Sequence, residues 1–297
     1  MKIALSPYAV RLSAQSCFAR WVVEATFVLL ATAAFAEPLK ISGSMQPSGN
    51  VTDSWLSPNG QYAVFIADRE TPGVFDLWSA TTAGGPPVKL TSFALSGNGV
   101  RAEDVRITND SARVVFVAQM GSNVEPSIWT IPITGGTATL LSTGGTPVLQ
   151  NIKVNADGSR VLYRQSDGAT PARLRSVATT GGAISTLSPV PLGAGPVGLH
   201  EFTPDGLTAV YQCICVSATA SELFKVPASG GASAALSGTV VASATGVEGF
   251  RLAPDGSRVV FHGKLSSATR LRLYSTPLGG AATRTTQVLR ASGTPDR

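Results

Sequence analysis

Thr203-Pro204-Asp205-Gly206 leads into Ala209-Val210-Tyr211, and the same stretch turns again at Gly230-Gly231. This order of letters recurs along the chain. Ser57-Pro58-Asn59-Gly60 precedes Ala63-Val64-Phe65, then Leu77-Trp78 and Gly84-Gly85. Thr108-Asn109-Asp110-Ser111 precedes Val114-Val115-Phe116, Ile128-Trp129 and Gly135-Gly136. Asn155-Ala156-Asp157-Gly158 and Ala253-Pro254-Asp255-Gly256 open the two remaining copies. The period is roughly 46–51 residues, a range that marks solenoids, propellers and arrays.

Within one copy the punctuation is that of strands. Pro fixes φ and Asn-Gly or Asp-Gly accepts positive φ, so each opening phrase is a hairpin turn. Between Val51 and Thr91 the chain reads strand, turn, strand, polar loop, strand, Gly-Gly turn and short strand. Four antiparallel strands per repeat, with turns every 8–12 residues, describe a propeller blade. The second strands are apolar on both faces (Val64-Phe65, Val115-Phe116, Leu162-Tyr163, Val210-Tyr211, Val260-Phe261), as sheets packed on two sides require. The expected fold is all-β: a β-propeller of four-stranded antiparallel blades with five repeats. Both a closed five-bladed and an incomplete six-bladed ring fit the count, and the closed ring is favoured, because an open one leaves apolar faces and edges exposed. Pro38-Leu39-Lys40-Ile41-Ser42 reads like the fourth strand Pro87-Val88-Lys89-Leu90-Thr91, so residues 37–50 are expected to hold an N-terminal outer strand.

The Pro-Asp-Gly turn, the Val/Phe strand and the third strand ending in Gly-Gly resemble the TolB-like propeller repeat. The blades of the prolyl-oligopeptidase family are similar. The resemblance spans residues 38 to about 290 and is clearest in the repeats that open at Thr203 and Ala253; it implies a propeller and, by analogy, envelope protein partners. The first repeat departs with Asn59 in place of Asp, the second with Asn109-Asp110-Ser111. TolB-type proteins carry a separate α/β domain ahead of the blades; none is expected here, because only residues 37–50 separate the expected cleavage site from the first strand.

Arg11 and Arg20 precede an apolar run from Ala25 to Phe35, and Ala34-Phe35-Ala36 offers small residues at the positions a signal peptidase reads. Residues 1–36 are therefore expected to be a cleaved signal peptide, followed by the outer strand at 37–50 and the propeller at 51–297. The run is shorter than the ~20 residues a spanning helix needs. A periplasmic or secreted protein, with no stable membrane insertion after cleavage, is the expectation. The net charge of +5 does not point to nucleic acid, because no Lys/Arg cluster remains beyond the signal segment.

Catalytic signatures are missing from the sequence: there is no Gly-x-Ser-x-Gly elbow, P-loop, dinucleotide fingerprint or zinc-protease spacing. The two histidines are His200 and His262. His200 aligns with Ser54, Val105, Ile152 and Phe250, so it reads as packed or channel-lining, and His262 as a partly exposed strand-end residue. Cys213 and Cys215 read mainly as two small strand residues, because a bridge across an extended i, i+2 pair is strained. Asp157, Asp205 and Asp255 read as turn residues rather than metal ligands. No metal and no cofactor is expected.

Aligning the repeats stacks Trp55, Arg106, Lys153, Glu201 and Arg251 on the inner strands. Asp53, Asp104 and Asn151 lie two residues earlier, on the same side. Such a ring lines the channel and can hold an anionic peptide terminus or a small acidic ligand. The loops after the second strands (68–74, 119–127, 165–172, 213–221, 263–270) differ most between repeats, and specificity usually resides in loops of that kind. The expected function is an exported, non-enzymatic module that binds an envelope protein or peptide. The alternatives are a channel-mouth propeller for a small ligand or sugar, a propeller enzyme, and an accessory to a separately encoded peptidase.

Overall fold

The structure is a computed structural model that describes residues 37–92, 105–120, 126–142, 147–166, 171–190, 197–216, 219–238, 240, 244–266, 270–279 and 287–288. The expected signal peptide lies outside them.

Residues 41–297 form one compact unit. Among the described residues, twenty strands build five antiparallel four-stranded sheets, one per repeat, and each sheet is laid down in chain order. Sheet 1 comprises β1 (Val51–Leu56), β2 (Tyr62–Ala67), β3 (Asp76–Thr81) and β4 (Val88–Lys89). Sheet 2 comprises β5 (Arg106–Ile107), β6 (Arg113–Ala118), β7 (Ser127–Pro132) and β8 (Thr139–Leu140). Sheet 3 comprises β9 (Pro147–Val154), β10 (Arg160–Gln165), β11 (Arg173–Ala178) and β12 (Ser185–Thr186). Sheet 4 comprises β13 (His200–Phe202), β14 (Thr208–Cys213), β15 (Glu222–Pro227) and β16 (Ala234–Ala235). Sheet 5 comprises β17 (Gly246–Leu252), β18 (Arg258–Lys264), β19 (Arg272–Pro277) and β20 (Gln287–Val288). This is the all-β propeller architecture.

Both faces of the second strands are buried because sheets pack on sheets. Val64 and Leu77 of sheet 1 meet Phe116 and Ile131 of sheet 2. Val115 and Ile128 of sheet 2 meet Tyr163 and Val177 of sheet 3. Leu162 and Leu174 of sheet 3 meet Tyr211 and Phe224 of sheet 4, and Val210 and Leu223 of sheet 4 meet Phe261 and Tyr274 of sheet 5. In the three later interfaces an aliphatic face receives the aromatic-bearing face of the next sheet, whereas sheet 1 adds Trp55, Tyr62 and Phe75 to its own side.

The recurrent phrase is the same Asx turn each time. In the repeat that opens at Thr203, the Asp205 carboxylate accepts from the Thr203 hydroxyl and the Leu207 N–H; Asp110, Asp157 and Asp255 do likewise with their own neighbours. These bonds hold Asp157, Asp205 and Asp255 below the usual carboxylate range. The turns also reach across sheets. Asn59 N–H donates to Ser111 Oγ, Asn109 Nδ2 to the Ala156 carbonyl and Asn155 Nδ2 to the Gly206 carbonyl. At the other turn, in sheets 1 to 4, both glycines have positive φ, as in Gly84 (99°) and Gly85 (121°), which only glycine adopts without strain.

A second recurrent device is a hydroxyl just beyond the fourth strand. Thr91, Ser142, Ser188 and Ser237 accept from the backbone N–H groups of Leu77, Ile128, Leu174 and Leu223. Each of these hydroxyl residues is buried.

Residues 37–50 form no strand, contrary to the sequence-based expectation. Every sheet already has a fourth strand from its own repeat, so Pro38–Ser42 is not needed for that role. Ile41 and Met45 pack instead on Phe65, Ala67, Trp78 and Ala80, the aromatic face of sheet 1. Gln46 N–H donates to the Arg69 carbonyl, Asn50 N–H to Asp68 Oδ1 and Arg69 Nε to the Ser42 carbonyl. Among the described residues, no apolar cluster joins sheet 5 to sheet 1.

Cys213 and Cys215 form a disulfide, which corrects the reading as two thiols. Strand β14 ends at Cys213, so the pair leaves extended geometry. Its Cα atoms lie 5.2 Å apart, inside the range a bridge requires.

Candidate functional site

The register confirms the alignment of the inner strands. Trp55, Arg106, Lys153, Glu201 and Arg251 stand opposite Val64, Val115, Leu162, Val210 and Val260, the same rung of each sheet. Sharing a rung does not bring all five together. Lys153, Glu201 and Arg251 line one cavity of about 220 Å³ with Asn151, His200 and Phe250. Trp55 packs on the core between sheets 1 and 2, and Arg106 Nη1 donates to its neighbour's carbonyl at Val105; neither lines the cavity. Asp53 is exposed on β1, and Asp104 lies outside the described residues.

Lys153 Nζ lies 2.9 Å from Glu201 Oε2, bridging sheets 3 and 4. Both side chains are substantially exposed, so the pair adds little stability. Arg251 is exposed and donates through Nη1 to the Phe250 carbonyl at 3.3 Å. Among the described residues no carboxylate pairs with it. With one carboxylate against two fixed cations, the cavity mouth favours an anion.

The floor is stiffer than the sequence suggests. His200 is 4% exposed, with Nε2 2.8 Å from the Asn151 carbonyl and Nδ1 3.3 Å from that of Gly198. Burial pushes its pKa down to about 4; the two carbonyl contacts oppose this, and the charges of Arg164 and Lys153 add to it. The imidazole is therefore neutral at pH 7, and the shorter contact assigns its proton to Nε2. Asn151 has φ 72°, a conformation that costs most non-glycine residues free energy. Three inner strands are irregular just ahead of the shared rung: β1 between Val51 and Asp53, β9 opposite Leu162 to Arg164, and β17 between Val247 and Gly249. Backbone held off its preferred region in this way clusters at ligand sites.

Sequence reading placed Lys153, Glu201, Arg251 and Asn151 on the channel side and His200 as packed or channel-lining, but did not bring Asn151 and His200 into contact. A signal was present, since Asn is among the few residues that tolerate positive φ. The lining residues include no Ser, Thr or Cys to serve as a nucleophile. Among the described residues, no three of His, Cys, Asp and Glu converge as metal ligands. Of the five variable loops, 68–74 is fully described; Asp68 anchors it by accepting from Asn50 N–H and Gly73 N–H, which hold its carboxyl below the usual range.

No protein-family model matches the chain, and no curated protein matches it. Solved structures do. A prolyl endopeptidase structure shares the fold at 13% identity and TM-score 0.51, over 86% of this chain and 37% of that one. An oligogalacturonate lyase in complex with manganese does so at 12% identity and TM-score 0.50, over 78% of this chain and 65% of the lyase. A TolB-type structure from Agrobacterium tumefaciens is similar at 18% identity and TM-score 0.45, over 81% of this chain and 80% of that one. At such identities the likeness concerns the fold alone.

Proposed function

We propose that this protein is an exported propeller of the cell envelope that binds a protein or peptide ligand through an acidic group. The cavity between sheets 3, 4 and 5 receives that group, with Arg251 as its principal contact. The reading rests on one observation: Arg251 stands at the mouth of a cavity whose other cation, Lys153, is already committed to Glu201. A carboxylate on the ligand completes the guanidinium in the way Phe250's carbonyl cannot, because a charge-assisted bidentate pair is roughly twice as strong as a neutral bond. The apolar lining from Leu199, Phe250 and Leu252 suits an adjoining side chain. His200 and Asn151 keep the floor rigid, so little ordering is required on binding.

The test is a calorimetric screen of short peptides carrying either a free or an amidated C-terminus, or internal Asp/Glu. Peptides with an accessible carboxylate bind, and Arg251→Ala weakens them about tenfold or more, the worth of one charged hydrogen bond. Equal binding to wild type and Arg251→Ala would falsify the assignment.

A further inference from the structure

Asn151 lines the cavity with its backbone in the left-handed region, at φ 72°. Among the described residues the only other non-glycine there is Ser111. The Ser111 side chain has an internal role, since its hydroxyl accepts from Asn59 N–H in the turn of sheet 1. Asn151 differs. Its carbonyl accepts from His200 Nε2 at 2.8 Å, which holds the backbone, but its carboxamide bonds to none of the described residues. The backbone angle alone does not call for that carboxamide, because glycine adopts the same angle freely. Asn151 is exposed, pinned off its preferred conformation and placed at a cavity wall. Strain of this kind accompanies ligand contact.

We infer that Asn151 reads a peptide bond, and that the ligand is the C-terminal residue of a polypeptide, with an apolar side chain. The inference rests on the assignment of Arg251 to a carboxylate. A carboxamide carries an acceptor and two donors, so it matches the N–H and C=O of a peptide group with two hydrogen bonds. A C-terminal residue carries its carboxylate and its peptide nitrogen on one Cα, which puts both recognised groups within a single residue. The cavity is of that scale: about 220 Å³ lies below the roughly 300–1,000 Å³ of sites for drug-sized molecules. Arg251 takes the carboxylate and Asn151 the last peptide group. Leu199, 43% exposed, lines the cavity with Phe250, and the two receive the side chain. Glu201 lines the same cavity and disfavours a second carboxylate, so a terminal Asp or Glu is a poor fit.

The experiment titrates the full chain with three small probes, followed by NMR. N-acetyl-leucine has the carboxylate, the side chain and one peptide group. 4-Methylpentanoate keeps the carboxylate and the side chain without the peptide group, and N-acetyl-leucinamide lacks the carboxylate. N-acetyl-leucine should bind about tenfold more tightly than 4-methylpentanoate, the worth of two neutral hydrogen bonds, and at least tenfold more tightly than N-acetyl-leucinamide. Asn151→Gly keeps the backbone angle, and circular dichroism checks that the fold is intact; it should remove the preference for N-acetyl-leucine and leave 4-methylpentanoate unchanged. Arg251→Ala should weaken both acids. If Arg251→Ala weakens both acids but wild type shows no preference between them, or Asn151→Gly retains it, the inference fails and the carboxylate site stands. If neither acid binds, or Arg251→Ala binds both as wild type does, the carboxylate site fails and the inference falls with it.

Discussion

Lowering the pH from 7 to 5 should destabilise this protein through His200. The imidazole has a folded-state pKa of about 4 against about 6.5 for a free imidazole, with burial as the main cause. The unfolded chain therefore binds a proton that the folded chain refuses. The stability this provides is fully present above pH 6.5 and is lost as pH falls toward the folded value. Linkage between those two pKa values gives a loss of about 2 kcal/mol at pH 5 and about 3 kcal/mol at pH 4. Glu222 works the other way: burial raises its pKa, so acid favours its folded form. The lowered pKa values of Asp68, Asp157, Asp205 and Asp255 act at more acidic pH than this window. A difference measurement separates these contributions. Urea melts of wild type and His200→Asn at pH 7, 6 and 5 should show the wild type losing about 2 kcal/mol more than the variant. Because the chain has only two histidines, NMR of labelled imidazoles follows His200 directly. Parallel stability curves for the two proteins, or a His200 resonance that titrates near pH 6.5, would refute the argument.

Two further outcomes follow from the fold. Ser188→Ala should cost about 1–3 kcal/mol, because it strands the buried Leu174 N–H that the hydroxyl receives; thermal melts compare it with the exposed control Ser257→Ala. Under denaturing conditions without reductant, Cys213 and Cys215 should resist alkylation and gain two labels only after reduction, read by peptide mass so that Cys17 is counted apart; labelling of either before reduction would contradict the bridge.

The blade was legible because its causes are local. Pro-Asp-Gly and Gly-Gly impose backbone angles on their own residues, and the Val/Phe strands declare burial on two faces. The shared rung of Trp55, Arg106, Lys153, Glu201 and Arg251 was legible for the same reason, since register follows from turn geometry. The buried hydroxyls were also written in the chain, as Leu90-Thr91, Leu141-Ser142, Leu187-Ser188 and Leu236-Ser237. They were overlooked because a small polar residue after a strand reads as loop until its donor partner is known. The disulfide was misjudged from strand geometry, which assumed that β14 continues past Cys213.

The outer strand expected at Pro38–Ser42 failed through a false analogy. Its letters match those of Pro87–Thr91, but a fourth strand needs a third strand with a free edge, and each third strand is already paired. Ile41 and Met45 were therefore free to cover Phe65 and Trp78. Sequence similarity carries propensity, whereas pairing depends on which edges remain open.

The sequence by itself determined the repeating four-stranded sheet, its turns and the rung on which the charged residues stand, because these follow from φ preferences and a period of two along each strand. Tertiary structure alone decided which of those residues meet. Lys153, Glu201 and Arg251 share a cavity, while Trp55 and Arg106 do not line it. It alone left Leu273 exposed while burying Leu77, Leu174 and Leu223, although all four are leucines at one position of one repeat. Burial is not a property of a residue or of its strand; it depends on whether another sheet lies against that face.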